Sequence, residues 1–343
     1  MSAALDVAAV IPARDALPFV LEATASALAQ TLPPAEVIVV DDGTDDRTAA
    51  ALGSRFADRV RLLRGRFGSA AAARNAGWRA ARAPWIAFLD ADDLWFPDKL
   101  ACAARTLAAA PEAGWFFSDG AFRTLGGDLC ASWLHAYAEL PDPYVGRPVA
   151  ALFEVNFVLT SSVLVRREAL ETLGGFDEGM SHAEDLDLWI RLARRWPAAA
   201  TRRALVRYQH RSGGLSRQLE PRLHGDAALF HRLAGDAGLE AALRRSARRR
   251  EATAHLKLAL AALRAGDGAA ARAHLGGTWA ARSRRLEAAG AWLLSRAPAA
   301  WLARARRQRW ATRAVVAPRM RLRRVTLRAE RALPDGIAAR RQP

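Results

Sequence analysis

The feature that most limits how this chain can fold is the alternation of short apolar runs with stretches of helical period over residues 7–89. Val7-Ala8-Ala9-Val10-Ile11 is ended by Pro12. Leu17, Val20, Leu21, Thr24 and Leu28 then recur at helical spacing up to Pro33-Pro34, and Val37-Ile38-Val39-Val40 runs into Asp41-Asp42-Gly43. A helix from about Arg47 to Phe56, a strand Val60–Leu63, a helix from about Ala70 to Ala81 and a strand Trp85–Leu89 continue the series. Runs that are apolar throughout suit strands buried on both faces, and strands alternating with helices at this pitch predict an α/β unit, a mainly parallel sheet with helices on both faces. In such sheets ligands bind beyond the carboxyl ends of the strands. Here those ends carry Arg14-Asp15, Asp41-Asp42 and Asp90-Ala91-Asp92-Asp93. Pro12-Ala13-Arg14-Asp15 holds no glycine, which excludes the G-x-G-x-x-G turn of dinucleotide enzymes. Further on, Phe157–Val165 reads as strand, Glu184–Trp196 as helix, and Gly213-Gly214 as an edge. The remainder is Ala/Arg-rich and helical, with Leu256, Leu260 and Leu263 before a Gly266-Asp267-Gly268 turn and a second helix over about 269–275. The expected division is therefore 1–218 for the α/β unit and 219–343 for a basic helical region.

Charge is unevenly placed. Residues 1–240 hold 26 Lys or Arg against 30 Asp or Glu, a net −4, whereas 241–343 hold 25 against 5, a net +20. Such asymmetry points to an anionic partner. The arginines of 241–343 interleave with Trp279, Trp292, Trp301 and Trp310 and no base-reading motif accompanies them, so nucleic acid is disfavoured and an anionic membrane surface is expected. No run of about 18 uncharged apolar residues is present and Met1–Asp6 lacks a basic start, which reads as a cytoplasmic protein, peripheral on the inner face of the cell membrane. Cys102 and Cys130 lack metal-ligand spacing and read as two core thiols.

Asp90, Asp92 and Asp93 crowd three carboxylates into four residues. Hard oxygen ligands of this kind suit Mg²⁺ or Mn²⁺ completed by substrate phosphates. A solvated turn or a helix N-cap is the alternative. The order of segments decides between them, because Val10-Ile11-Pro12-Ala13-Arg14-Asp15, Val39-Val40-Asp41-Asp42-Gly43, Ala73-Arg74-Asn75-Ala76-Gly77, Phe88-Leu89-Asp90-Ala91-Asp92-Asp93 and Gly174-Gly175-Phe176-Asp177-Glu178 with Glu184-Asp185-Leu186-Asp187-Leu188-Trp189 together resemble the family-2 glycosyltransferases of GT-A fold.

That resemblance covers about residues 6–218. It implies metal-dependent transfer of a sugar from a nucleoside diphosphate sugar to a hydroxyl of a saccharide or lipid-linked glycan, with inversion, in cell-envelope or surface polysaccharide synthesis. Carried over by position, Pro12 and Arg14 belong to the nucleotide-sugar site, Asp42 and Arg74 to the nucleobase and Asp90 to the ribose. Asp92 is implied as a ligand of Mn²⁺ or Mg²⁺, His210 as a second one, Asp185 as the general base, and Glu184 as a helper in acceptor binding. Two departures qualify this. Arg14-Asp15 stands where the family often has Tyr-Asn, and Leu192-Ala193-Arg194-Arg195-Trp196 lacks the glutamine of the processive branch, which favours a single transfer per acceptor. The competing reading is a non-catalytic GT-A-like scaffold that binds nucleotide, against which the intact Asp90, Asp92 and Asp185 speak.

Overall fold

The computed structural model describes residues 5–43, 47–123, 129–130, 132–209, 219–278, 285–296 and 325–328. The described residues divide into two units, one from within 1–179, 184–212 and 324–343, the other from 180–183 and 213–323.

The first unit runs β1 (Val7–Ala13), α1 (Phe19–Leu28), β2 (Glu36–Asp41), α2 (Thr48–Phe56), β3 (Arg61–Arg64), α3 (Ala70–Ala80), β4 (Trp85–Phe88), β5 (Leu94–Trp95) and α4 (Lys99–Ala108). It continues with β6 (Trp115–Arg123), β7 (Leu129–Cys130), α5 (Trp133–Tyr137), β8 (Ala138–Glu139), β9 (Tyr144–Gly146), α6 (Val149–Glu154), β10 (Leu164–Arg166), α7 (Arg167–Leu173), α8 (Glu184–Arg195), β11 (Ala198–Tyr208) and β12 (Val325–Thr326). The main sheet has the order β3-β2-β1-β4-β10-β6-β11-β5. β3, β2, β1 and β4 are parallel neighbours. From β10 onward the sheet is mixed: β10 is antiparallel to β4 and β6, β6 is parallel to β11, and β5 is antiparallel to β11.

Alternation along β1 explains the helices on both faces. Val7, Ala9, Ile11 and Ala13 share one core with residues of α1, α2 and α4, namely Val20, Ala23, Leu52, Leu100 and Ala103. Val10 points the other way, where a Cβ on Gly77 of α3 would come within 2.3 Å of its Cγ1 and 3.1 Å of Val40 Cγ2. Only a glycine lets α3 lie this close to the sheet. On β6, Trp115 stacks on Trp189 of α8 at 6.1 Å between centroids, and Phe176 packs edge-on to both Phe88 and Trp189. These rings seat α8.

The strand expected over Phe157–Val165 is mostly something else. Thr160–Ser162 forms a 3-10 turn and strand geometry begins only at Leu164. Ser162 Oγ donates to the Leu159 carbonyl and Ser161 Oγ to Asp93, so local side-chain bonds favour a turn in this apolar segment. Cys102 is a buried thiol; the Cys130 side chain lies outside the described residues.

The second unit is helical: α9 (Leu219–Gly235), α10 (Ala241–Ala265), α11 (Gly268–Leu275) and α12 (Arg285–Ser295). Leu256, Ala259, Leu263, Ala271, Leu275, Ala288 and Ala291 form its core. Gly266 closes α10 at φ 87°, and Asp267 caps α11 by accepting the Ala270 N–H at 2.8 Å. Among the described residues no helix is long and apolar enough to cross a membrane. Trp279, Trp301 and Trp310 lie outside the described residues; the guanidinium of Arg296 sits 3.8 Å above the Trp292 ring.

Candidate active site

At the ends of β1 and β2, Pro12 pairs in register with Val40, and the Asp42 N–H donates to the Ala13 carbonyl at 2.9 Å. One Asp42 oxygen accepts the backbone N–H groups of Phe67 and, at 2.9 Å, Gly68. The other faces the exposed guanidinium of Arg14 at 3.6 Å. Gly43 follows at φ 68°, and a Cβ there would lie 2.8 Å from the Gly65 carbonyl oxygen. The Asp-Asp-Gly sequence thus serves a turn that needs glycine as well as a carboxylate that pins the 65–68 loop.

The three carboxylates beyond β4 have three different surroundings. Asp93 is buried, with one oxygen accepting Ser161 Oγ–H at 2.5 Å and the other the Gln209 N–H at 3.0 Å. Burial first, then the charges of Asp90 and Asp92, push its pKa well above the usual carboxylate range. Asp93 is therefore a structural hub tying the turn to the 3-10 segment and to the end of β11. Asp90 receives the Arg74 guanidinium on its side chain and donates its N–H to Ser161 Oγ at 3.0 Å. Asp92 is half-buried at the same turn.

Arg74 joins the acidic turn to α8. Its Nη2 donates to Asp90 at 2.7 Å, its Nη1 to Glu184 at 3.0 Å, and its guanidinium lies 5.3 Å from the Phe176 ring centroid. The side chain is 7% exposed, and Nε has no hydrogen-bond partner. Burial works against its charge, but Asp90 and then Glu184 more than offset that and raise its pKa. The resemblance assigns Arg74 to the nucleobase; in this structure carboxylates engage both terminal nitrogens. Asp185, the next residue, accepts Asn156 Nδ2–H at 3.1 Å and its neighbour's N–H, from Leu186, at 2.7 Å. Burial and then the Glu184 charge raise its pKa to about 6, while Leu186, Arg74 and Asn156 pull the other way. A carboxylate poised there is ionised at neutral pH yet basic enough to take a proton.

Neighbouring motif residues build the frame. Asn75 donates to the Phe176 carbonyl at 2.8 Å and to Glu178 at 2.7 Å, and accepts from Trp78 Nε1–H and the Phe176 N–H, both at 2.9 Å. Asp187 accepts Arg191 Nε–H at 2.7 Å, and Arg191 in turn satisfies the Leu173 and Gly175 carbonyls at the end of α7. Sequence reasoning missed Asn156 and Ser161, which hold Asp185 and the acidic turn. The hydroxyl run Thr160-Ser161-Ser162 inside an apolar stretch was the available signal for the second.

Among the described residues no three His, Cys, Asp or Glu side chains converge as a ligand set. His210 lies outside the described residues; Gln209 beside it is bonded to Asp93. The donor set fits a divalent ion held as Mg²⁺ and Mn²⁺ are held at phosphates, by one or two carboxylates with the remaining positions filled by water and substrate oxygens. Asp93 and Asp90 are engaged by protein donors. The resemblance names Asp92 for that task.

Residues 8–174 match the family model "Glycosyl transferase family 2", and residues 116–242 match "Glycosyltransferase like family 2". The succinoglycan biosynthesis protein ExoO of Rhizobium meliloti is 42% identical over 110 residues, 32% of this chain and 31% of that protein. The chain spans between about a third and just over half of the curated relatives it matches first, 31% and 58% of their lengths. Staphylococcus aureus TarS 1–349 in complex with UDP-GlcNAc shares the fold with a TM-score of 0.62 at 15% identity, over 88% of this chain and 92% of that one. The mannosyltransferase PcManGT of Pyrobaculum calidifontis, in complex with GDP-Man and Mn²⁺, gives 0.55 at 21% identity over 91% and 87%. Overlapping family matches from β1 to the start of α10, on a GT-A sheet whose carboxyl edge gathers Asp42, Asp90 and the Glu184-Asp185 pair, establish that the chain belongs to glycosyl transferase family 2.

Proposed function

We propose that the protein moves one sugar at a time, with inversion, from a nucleoside diphosphate sugar to a hydroxyl of a saccharide or lipid-linked glycan during assembly of a surface polysaccharide. The observation that carries this reading is the Arg74 bridge, which sets a carboxylate of the acidic turn and the Glu184-Asp185 pair around one guanidinium. ExoO, by name a succinoglycan biosynthesis protein, supports the polysaccharide setting.

Asp185 takes the proton of the acceptor hydroxyl as that oxygen bonds to the anomeric carbon and the nucleoside diphosphate leaves from the opposite face. Glu184, fixed by Arg74, lines the acceptor side. Arg14 and Asp42 flank the nucleotide, where an exposed guanidinium can stack on a base. Asp92, with His210 as the second protein ligand, would hold Mg²⁺ or Mn²⁺, and the ion would supply positive charge to offset that of the departing diphosphate. In a thermal-shift screen with Mn²⁺, one of UDP-glucose, UDP-N-acetylglucosamine, GDP-mannose or the dTDP and CDP sugars is expected to stabilise the chain, by about 2.7 kcal/mol at 100 times its Kd. Asp92→Ala is expected to remove the Mn²⁺-dependent part of that gain while the chain still folds. No shift with any of them would remove the donor assignment.

The same reading places the helical unit at an anionic membrane surface. Arg244, Arg245 and Arg248 lie in the first turns of α10, whose opening turn holds no acidic residue, so like charges gather at the positive end of a helix. Near anionic lipid each such residue contributes roughly 1 kcal/mol. The full chain is expected to sediment with phosphatidylglycerol vesicles and not with phosphatidylcholine ones, and the triple change of these arginines to Gln is expected to weaken that sedimentation at least tenfold. Equal binding by both proteins would remove α10 as the contact.

A further inference from the structure

Lys99, the first residue of α4, is fully buried, and its Nζ has no hydrogen-bond partner among the described residues. A buried amine of that kind costs free energy unless another contact answers it. Here the contact is a ring. Nζ lies 4.4 Å from the centroid of Trp95 on β5, and the face of an indole attracts a cation. Burial pushes the Lys99 pKa down to about 7, with Cys102 pulling the other way, so the charged form persists at neutral pH. Trp95 is itself buried and spends its indole N–H on the Ser161 carbonyl at 2.8 Å. The Ser161 hydroxyl then serves two carboxylate residues, accepting the Asp90 N–H at 3.0 Å and donating to Asp93 at 2.5 Å. Every residue in this chain of contacts belongs to the sheet unit.

We propose that Trp95 and Lys99 position the acidic turn beyond β4: the ammonium holds the indole from its face, the indole N–H holds the Ser161 carbonyl, and the Ser161 hydroxyl holds Asp90 and Asp93. Both act through Ser161, so they are positioning residues. A shift of the Ser161 main chain moves two bonds of the turn at once. This rests on the function proposed above for Asp90 and Asp92 at the donor.

The test uses Trp95→Phe, which keeps a ring and loses the N–H, and Lys99→Met, which keeps an unbranched chain and loses the charge, both in the full chain. Hydrogen–deuterium exchange at the Asp90 amide, whose N–H sits on Ser161 Oγ, is expected to quicken at least tenfold in Trp95→Phe while the amides of β1 stay unchanged. A merely loosened sheet would quicken both. With Mn²⁺ and UDP-glucose, UDP-N-acetylglucosamine or GDP-mannose as probes, KM for the donor is expected to rise at least tenfold with kcat within threefold. Lys99→Met is expected to melt no lower than the parent, since it removes a buried charge, and yet to quicken Asp90 exchange and raise KM at least threefold. Stability and donor affinity moving in opposite directions is what a packing role does not give. Unchanged Asp90 exchange in Trp95→Phe, or quickened exchange beside an unaltered KM, would overturn the proposal. So would Lys99→Met without effect on either, which decides the matter should Trp95→Phe fail to fold. A parent protein that turns over none of these donors while exchange responds as expected would overturn the function and leave the anchoring of the turn standing.

Discussion

Asp185→Asn is expected to lower transfer by about 10²–10⁴-fold, the usual worth of a general base, while the fold becomes no less stable. The amide has the carboxylate's shape and can still accept the Leu186 N–H, but its NH2 gives up the bond from Asn156 and it cannot take a proton from the acceptor. The stability half follows from the sign of the pKa shift. Folding raises Asp185 from an ordinary value near 3.8 to about 6, so its ionised form is disfavoured in the folded chain. That penalty is absent below about pH 4, grows as pH rises and is complete above about 6. Asn removes it. Denaturation at pH 7 should show the variant equal to or above the parent, with the difference gone at pH 4. In the unaltered protein, kcat/KM should rise with pH through about 6 and then level. A variant that keeps more than a tenth of the parent rate would eliminate Asp185 as the base.

Arg74→Ala is expected to lower stability by about 3–5 kcal/mol, the cost of stripping one partner from a buried ion pair. Asp90 and Glu184 lose their shared cation, and Asp185 loses the positive charge that restrains its pKa. Any remaining activity should therefore have its acid limb moved to higher pH. Arg74→Lys should recover part of the stability, because one ammonium cannot reproduce the fork that meets Asp90 at 2.7 Å and Glu184 at 3.0 Å together. Urea denaturation beside a pH–rate profile separates the two effects. A cost under 1 kcal/mol would show that the bridge contributes little.

The parallel half of the sheet was legible because β1, β2 and β4 are buried on both faces and read as unbroken apolar runs. The 3-10 turn at Thr160–Ser162 was not, since its residues are as buried as a strand's and only their hydroxyl bonds distinguish it. β11 was missed for another reason. Arg202 and Arg203 interrupt its apolar run where the register against β6 shifts between Thr201 and Ala204, and a bulge has no periodic signature. Within the site, motif order marked Asp90, Asp92, Glu184 and Asp185 as functional, but spacing along the chain cannot show which carboxylate a buried arginine selects. The separate duties of Asp90 and Asp93 depend on Arg74, Ser161 and Gln209, each distant from them in sequence.

The saturation of Asn75 has a consequence for how the protein comes into being. Its amide uses both donors and both acceptor positions, and the partners at Phe176 and Glu178 lie 101 and 103 residues downstream. A chain leaving the ribosome can pair β1 to β4 long before those partners exist, since residues emerge at about 5–20 per second. During that interval the amide must stay hydrated, because burying it unbonded would cost about 1–3 kcal/mol. The donor-side half therefore cannot reach its final packing until Phe176 and Glu178 have emerged, and the Glu184-Asp185 pair follows them within a few residues. Synthesis order thus builds in a safeguard: an incomplete chain has neither a locked α3 nor the Glu184-Asp185 pair, and so lacks the group that the proposed function makes its base.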